Sequence, residues 1–138
     1  MSITTKNGDG GVSEYFGKKV NKGGKILEAV GTLDELQAVL GLVGLEKLQE
    51  DIYEIMARKE MRQRIEKLER LMGRLEKEIE VPRNFIIFKD QRAIELNWVR
   101  TIVRRAERRS MVFKNKDILI YLNRLSDFIY LLALKEEV

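Results

Sequence analysis

The regular spacing of apolar residues is the feature that most constrains what this chain can fold into. Between Met61 and Glu80, apolar side chains recur every three or four residues, at Ile65, Leu68, Leu71, Met72, Leu75 and Ile79. This period places them on one face of an α-helix. Comparable patterns predict four further helices, from Thr32 to about Gly44, from about Leu48, from about Gln91 to Val112, and after Asp117. The second and third helices are either continuous or broken near Arg58.

Local signals predict where these helices begin and end. Thr32 is predicted to cap the first helix, with Glu35 completing a capping box. Asp34 then lies in the first turn, where the helix dipole favours a carboxylate. Pro82 is the only proline of the chain, and it is predicted to stop the third helix. Asp117 is predicted to be the N-cap of the last helix.

The helices together predict an all-α fold, a five-helix bundle with ferritin-like up-down packing. The length of 138 residues suffices for one domain with a buried core. Residues 1–30 form a glycine-rich leader in this interpretation, and residues 31–138 form the bundle. The apolar run from Phe85 to Phe88 is too short for a helix and is predicted to be a buried connector or a local strand.

The composition excludes several kinds of chemistry. The chain has no cysteine and no histidine, which rules out disulfides, cysteine nucleophiles, histidine zinc sites and Ser-His-Asp catalysis. Any chemistry must therefore use Arg, Lys, Asp, Glu and backbone groups. No apolar run approaches the roughly 20 residues that span a bilayer, and the polar start predicts no signal peptide. We therefore expect a cytoplasmic protein without a membrane partner, whose net charge of +4 permits acidic ligands.

The predicted fourth helix is rich in arginine. Five arginines fall within the twelve residues from Val99 to Ser110, and helical spacing sorts them into two rows. The first row is Arg100, Arg104 and Arg108 with Glu107 beside it, and the second is Arg105 and Arg109 with Thr101. Because a planar guanidinium grips phosphate oxygens in pairs, this helix predicts a receptor for an anion.

The leader offers a second group of anion-binding features. Glycines in the run from Asn7 to Gly11 allow backbone amides to point at an anion, and four lysines follow at Lys18, Lys19, Lys22 and Lys25. The order of a Walker P-loop is missing. A flexible leader without a ligand is the alternative, and Ser13–Phe16 is predicted to be a short extended piece.

Four motifs occur in order along the chain. They are T-K-N-G-D-G-G at residues 5–11, G-T-L-D-E-L at 31–36, R-T-I-V-R-R-A-E-R at 100–108 and Y-L-N-R-L-S-D at 121–127. With these motifs the chain resembles the trimeric, five-helix-bundle ATP:cob(I)alamin adenosyltransferases. The resemblance implies transfer of the 5′-deoxyadenosyl group of ATP to the cobalt of a reduced corrinoid, with release of triphosphate. It also implies Mg²⁺ on the triphosphate, a homotrimer with sites between subunits, a corrinoid reductase and an adenosylcobalamin-dependent enzyme as partners.

The resemblance also assigns roles to individual residues. The residues that match the family's ATP-binding positions are Thr5, Lys6, Asn7, Gly8, Ser13, Lys22, Arg104, Arg105, Glu107, Arg108 and Asn123. Asp34 and Arg100 match an ion pair near the corrin, at the junction between subunits. Phe85 matches the phenylalanine that packs below the corrin and keeps the lower axial ligand away. No protein ligand of Mg²⁺ is assigned.

Structural roles are the alternatives at several of these positions. In the structural alternative, Asp34 and Arg100 form an ordinary ion pair, and Phe85 is part of the hydrophobic core. Asn123 and Asp127 would satisfy buried backbone or Arg124, which for Asp127 is the favoured interpretation. The pair Arg109 and Lys67 is predicted to be solvated surface.

The chain departs from the family pattern mainly on the corrinoid side. The family's F-x-x-P-G-G is replaced by bulky and charged residues in Phe85–Asp90, and Asn97 and Trp98 replace a histidine and a small residue. The ATP half is therefore better matched than the corrinoid half. Two alternative functions remain open, a relative that binds ATP or corrinoid without transfer, and a helical module that binds nucleic acid. No nucleic-acid partner is expected in the preferred interpretation.

Overall fold

Five α-helices account for most of the chain, which confirms the predicted all-α class. The computed structural model describes every residue from Met1 to Val138. The helices are α1 (Lys25–Leu42), α2 (Glu46–Met56), α3 (Arg62–Glu78), α4 (Gln91–Ser110) and α5 (Lys116–Glu137). A short 3₁₀ turn (Met111–Phe113) joins α4 to α5, and a hairpin of β1 (Val12–Tyr15) and β2 (Lys18–Asn21) precedes α1.

The centre of the bundle is the antiparallel pair α4 and α5, which share the most extensive contact of the fold. Helix α1 packs on α4 and carries α2 on its other side, while α3 packs on α5. Helix α5 contributes more buried side chains than any other helix. Leu36, Val103, Leu122, Leu125 and Ile129 are fully enclosed between these helices. The apolar faces seen in the sequence therefore meet in one core.

The predicted start of the first helix is wrong. Helix α1 begins at Lys25, inside the segment assigned to the leader, and Thr32 lies in its interior. The buried Thr32 hydroxyl donates to the backbone carbonyl of Glu28 at 2.7 Å, so it caps nothing. Asp34 is consequently a mid-helix residue, where the favourable dipole effect of the first turn is absent. Glu35 forms no capping box and instead pairs with an arginine of α4.

The break between α2 and α3 lies at Arg58, one of the two alternatives predicted. Its backbone is left-handed, with φ of 56°, which ends the right-handed helix. Helix α3 then ends at Glu78, and Ile79 is already extended. The helix thus ends before Pro82, as predicted, but two residues short of the predicted end at Glu80.

The caps of the last two helices come from side chains before them. Asp90 accepts a hydrogen bond from the backbone N–H of Ala93 at 3.0 Å. Asn115, not Asp117, caps α5, because its Oδ1 accepts from the N–H groups of Asp117 and Ile118 at 3.0 and 3.2 Å. Both Asn and Asp are good caps, and the turn geometry after the 3₁₀ segment decides between them.

The connector between α3 and α4 is neither a strand nor uniformly buried. Phe88 is 9% exposed and meets Tyr130 edge to face, with ring centroids 6.1 Å apart. Phe85 and Ile87 point the other way and are 107% and 86% exposed. The alternative in which Phe85 is core is therefore wrong. The end of the connector is fixed by Glu137, whose carboxylate accepts from the N–H groups of Lys89 and Asp90.

Two leucines on the same helix test the position of the core. Leu36 is fully buried and Leu42 is 75% exposed. We expect Leu36→Ala to lower the free energy of unfolding by about 2–5 kcal/mol, because it removes a buried side chain and leaves a cavity. The matched change Leu42→Ala is expected to stay within about 0.5 kcal/mol. Urea unfolding followed by circular dichroism measures both, and equal effects would contradict the packing described here.

Candidate functional site

The leader is folded as a β-hairpin, against the alternative of a flexible segment. Strand β1 pairs antiparallel with β2, with Ser13 opposite Val20. The two turn residues, Phe16 and Gly17, both have positive φ, 50° and 75°, as a two-residue hairpin turn of type I′ requires. The extended piece predicted at Ser13–Phe16 is thus confirmed apart from its last residue, while its partner strand was not predicted.

The loop before the hairpin folds back onto a lysine after it. The N–H groups of Asp9 and Gly11 donate to the carbonyls of Lys6 and Gly8, both at 3.2 Å. The backbone N–H of Lys22 closes the base of the loop by donating to Gly11 at 2.9 Å. A Cβ at Gly8 would lie 2.7 Å from the Lys22 Nζ, so the ammonium group rests directly against this glycine.

Several predicted ligand-binding residues are therefore neighbours in one loop. The Thr5 hydroxyl accepts from the N–H of Asn7 at 3.4 Å, one residue before Gly8. The structure brings together the residues Thr5, Lys6, Asn7, Gly8 and Lys22. Ser13 is the second residue of the adjacent strand and is half-buried. This grouping places an ammonium group and a turn rich in backbone amides at one place, which is a suitable arrangement for an anion.

The second arginine row of α4 is occupied within the chain. Arg105 pairs with Glu35 of α1, and Arg109 pairs with Glu28 at 3.1 Å and donates to the Thr32 hydroxyl at 2.7 Å. Arg109 was predicted to be solvated surface. It is exposed, but it also makes these two contacts with α1. Lys67, on α3, is exposed, as predicted. The pairings join α4 to α1, so this row serves at least in part to position the helices.

The first row has two arginines without a partner. Arg104 and Arg108 are exposed, and neither has a hydrogen bond or an ion pair within the chain. Glu107 lies beside them and is half-buried. Arg104 precedes the end of α4 by six residues, and Asn123 follows the start of α5 by seven. Since the two helices are antiparallel and each residue rises 1.5 Å, as in any α-helix, both lie at about the same height in the bundle.

The motif on α5 presents polar groups at about the height of this row. Asn123 is exposed, and its Oδ1 accepts from Arg124 at 3.3 Å, which leaves its amide N–H groups without a protein partner. Arg124 also pairs with Glu69 of α3 at 3.1 Å. This contact with Arg124 is the structural role that was given above as the alternative for Asn123. Asp127 is exposed and has no partner, so its predicted role in satisfying backbone or Arg124 is wrong.

Asp34 and Arg100 are not brought together within one chain. Asp34 accepts from the Gln37 amide at 3.1 Å. The Arg100 Nε donates to Asn97 at 3.0 Å, and its guanidinium lies 5.8 Å from the Tyr130 ring centroid. The ion pairs of Glu35 with Arg105 and of Glu28 with Arg109 explain this separation. They place Asp34 beside the part of α4 that follows Arg104, whereas Arg100 lies nearer the start of that helix. The alternative of an ordinary ion pair inside the chain is wrong.

A buried polar network was missed by the sequence reasoning. The hydroxyl of Tyr121, in the Y-L-N-R motif, donates to Asp51 at 2.7 Å, and Arg64 donates to the other carboxylate oxygen at 3.1 Å. Burial raises the pKa of Asp51 above its usual 3.8 despite these partners. Burial and the neighbouring carboxylate raise the pKa of Tyr121 well above 10.0. The signal was available, because Asp51 falls on the apolar face of α2 between Leu48 and Ile55.

This network borders a large cavity of the chain. The cavity has a volume of about 810 Å³ and lies between α2 and α3. Its lining mixes apolar residues such as Leu71 and Phe128 with charges of both signs. None of the residues matched to ATP or corrinoid binding lines it. Size alone therefore does not identify the functional site.

The structure also bears on metal sites and membrane spans. No three acidic side chains converge in a way that could hold a metal ion. None of the five helices is both long and apolar enough to pass through a lipid bilayer.

Comparisons with known proteins give a consistent result. A family model described as cobalamin adenosyltransferase matches residues 3–136. The corrinoid adenosyltransferase PduO of Salmonella typhimurium is 33% identical over 168 aligned residues, covering 99% of this chain and 50% of that protein. A corrinoid adenosyltransferase of Bacillus subtilis is 29% identical, covering 96% and 85%. The chain thus spans about half the length of the PduO relatives it matches.

Solved structures show the same similarity in three dimensions. A variant PduO-type ATP:corrinoid adenosyltransferase from Lactobacillus reuteri, complexed with cobalamin and ATP, superposes with a TM-score of 0.88. It is 26% identical in sequence, with 96% of this chain and 89% of that chain covered. A second variant, complexed with ATP, has a TM-score of 0.87 at 27% identity, with 96% and 93% covered. The similarity in fold therefore extends over nearly the whole chain.

The half-buried Asp51 predicts a specific pH dependence of stability. Its folded-state pKa is raised above 3.8, so the native state holds this proton more tightly than the unfolded state. The stabilisation is fully present below pH 3.8 and is lost as the pH rises through the folded-state pKa. Asp51→Asn keeps an acceptor for Tyr121 but cannot titrate, and we expect it to remove this decline. Urea unfolding from pH 4 to 7 measures the difference, and parallel profiles of variant and parent would contradict it.

Proposed function

The chain belongs to the cobalamin adenosyltransferase family, and we propose that it transfers the 5′-deoxyadenosyl group of ATP to a corrinoid. The cobalt(I) of cob(I)alamin or a related corrinoid attacks the ribose C5′. A cobalt–carbon bond forms with the electron pair of cobalt, the C5′–oxygen bond breaks, and triphosphate leaves with the bonding electrons. The nucleophile belongs to the substrate, so the absence of Cys and His from the chain is no obstacle.

The observation that carries this proposal is the exposed, unpartnered pair Arg104 and Arg108 at the height of Asn123. Two guanidinium groups one turn apart suit the oxygens of a polyphosphate, and the free amide of Asn123 adds a neutral donor. Arg105 pairs with Glu35 of α1 and its side chain is 37% exposed, and in this proposal it contributes positive charge beside the triphosphate.

The chemical task of these groups is electrostatic. Negative charge grows on the leaving triphosphate as the C5′–oxygen bond breaks, and fixed positive groups lower the free energy of that state. The leader loop adds the Lys22 ammonium and backbone N–H groups on the same principle. In this proposal Thr5, Lys6, Asn7, Gly8 and Ser13 surround the triphosphate, and Glu107 helps to orient the arginines beside it.

Magnesium enters the proposal as the companion of the triphosphate. The residues near the proposed site are mainly cationic or neutral donors, and no acidic cluster is available to hold the ion on its own. A divalent cation bound through phosphate oxygens and water is the usual arrangement for Mg²⁺ with nucleotides. We therefore propose that Mg²⁺ arrives bound to ATP and needs no dedicated carboxylate cage.

The corrinoid half of the proposal needs a second copy of the chain. Asp34 and Arg100 have their own partners within one chain, Gln37 and Asn97, and both are open to contact from outside. An ion pair between Asp34 of one copy and Arg100 of the next is what a closed ring of three copies supplies. Phe85 is fully exposed, so it is free to cover the lower face of a corrin. Homotrimer formation is part of this proposal.

The cellular setting is proposed along with the activity. A cytoplasmic enzyme of this kind requires a corrinoid reductase to supply cobalt(I), and an adenosylcobalamin-dependent enzyme uses its product. The nucleic-acid alternative finds no support in the geometry, because the salt bridges of Arg105 and Arg109 with α1 leave only a short exposed basic row. Nucleic-acid binders usually present broader basic surfaces with stacking aromatic residues.

Anaerobic mixing of the protein with reduced cob(I)alamin and Mg-ATP tests the activity directly, because cobalt–carbon bond formation changes the absorbance. We expect turnover with release of triphosphate. Arg104→Ala is expected to lower kcat/KM by about ten- to one-hundred-fold, the usual cost of losing a charge-assisted hydrogen bond. The control is Arg74→Ala, an exposed arginine of α3 without a partner. Absence of turnover in the parent would contradict the proposal.

Asp34 separates the two halves of the site. Asp34→Asn removes the charge that the neighbouring copy's arginine would meet, while the ATP-binding groups are untouched. We therefore expect kcat to fall and the dissociation constant of ATP, measured by titration calorimetry, to stay close to that of the parent. Glu76→Gln, an exposed change on α3, serves as the control. Unchanged turnover in the Asp34 variant would remove this residue from the site.

A further inference from the structure

Arg58 stands at a backbone position that normally belongs to glycine. It follows the end of α2 with φ of 56°, and two hydrogen bonds close the helix around it. The Arg58 N–H donates to Ile55 at 3.0 Å, and the Lys59 N–H donates to Glu54 at 2.9 Å. This is the Schellman arrangement, in which glycine is favoured because a left-handed backbone crowds any Cβ. An arginine at such a position calls for a role of its side chain.

The side chain of Arg58 reaches the leader hairpin. Its guanidinium carbon lies 4.5 Å from the ring centroid of Phe16 and 5.1 Å from that of Tyr15. Its Nε is 3.4 Å from the Tyr15 hydroxyl. Arg58 has no acidic partner, so the negative faces of these two rings are its main electrostatic contact.

Few other contacts tie the hairpin to the bundle. The hydrogen bond from Arg58 to Tyr15 is the only side-chain hydrogen bond between the two strands and the bundle. Tyr15 also lies against Phe113, with centroids 6.4 Å apart, above a small cavity of about 100 Å³. The position of the hairpin at this end of the bundle therefore depends strongly on Arg58.

The hairpin in turn sets the position of the loop proposed to bind triphosphate. The loop precedes β1 directly, and Lys22 follows β2 directly and closes the loop on Gly11. A rotation of the hairpin would move the Lys22 ammonium and the loop amides together. We propose that Arg58 is a positioning residue for ATP binding, which acts by holding Tyr15 and Phe16 and so orients the leader loop. This inference rests on the proposed function.

The left-handed backbone makes a clean test possible with Arg58→Gly. Glycine removes the side chain and fits the φ of this position better than arginine does, so the bundle is expected to be at least as stable to heat. If the hairpin detaches, only a fraction of molecules presents the loop correctly. The dissociation constant of ATP then rises, by about five-fold if two exposed cation–π contacts are lost. Turnover at saturating ATP is expected to stay near that of the parent.

Three companion variants sharpen the result. Arg58→Lys keeps the charge without the planar group and is expected to fall between Arg58→Gly and the parent. Phe16→Leu removes one ring face, so Arg58→Gly should cost less ATP affinity in its presence. Lys59→Ala, at the neighbouring exposed position, is the matched control and should change nothing.

A readout without ATP separates this inference from the proposed function. Trypsin cleavage after Lys18 and Lys19 reports detachment of the hairpin, and it should be faster in Arg58→Gly. Unchanged cleavage would overturn the role of Arg58. Faster cleavage with unchanged ATP affinity would show that hairpin position does not govern binding, which overturns the positioning role. If the parent binds no ATP, the proposed function fails and the positioning role fails with it, while cleavage still decides whether Arg58 holds the hairpin.

Discussion

The antiparallel packing of α4 against α5 is the constraint on which the rest of the structure depends. It encloses the side chains of Val103, Leu122 and Leu125 and so fixes the rotation of both helices. Once α4 is fixed, Arg105 and Arg109 point to α1, and Arg104 and Arg108 point to solvent. The same packing sets Asn123 of α5 at the height of Arg104. The polar groups proposed to receive ATP are therefore positioned by the most extensive apolar contact in the fold.

The two arginine rows show how one helix can carry a structural and a functional surface. The spacing is the same in both rows, and only the neighbouring helix distinguishes them. Glu28 and Glu35 of α1 bind Arg109 and Arg105, and these carboxylates lie 81 and 70 residues away in sequence. Periodicity could therefore predict that two rows exist, but not which row is paired. That information is contained in the packing of α1 against α4.

The sequence was most informative where local physics decides the structure. Apolar periodicity predicted all five helices, because burial of one face dominates their stability. It was less informative at helix ends, where Thr32 and Asn115 show that similar residues can cap or not according to the turn before them. The partner strand β2 was missed because its lysines give no alternating pattern. The resemblance predicted the site residues, but only the three-dimensional structure identifies their partners within the chain.

The arrangement within one chain also bears on why the active unit would need several copies. The hairpin that carries the loop around Lys22 contacts the bundle through Arg58 and Phe113. No hydrogen bond joins this loop to Arg104 or Arg108. Asp34 and Arg100 are likewise separate. Both proposed half-sites are thus surfaces without their counterpart, each with charged groups facing outward. The closed ring proposed above would resolve both at once, because a rotation that brought one copy's Asp34 to the next copy's Arg100 would also repeat every other contact around the axis.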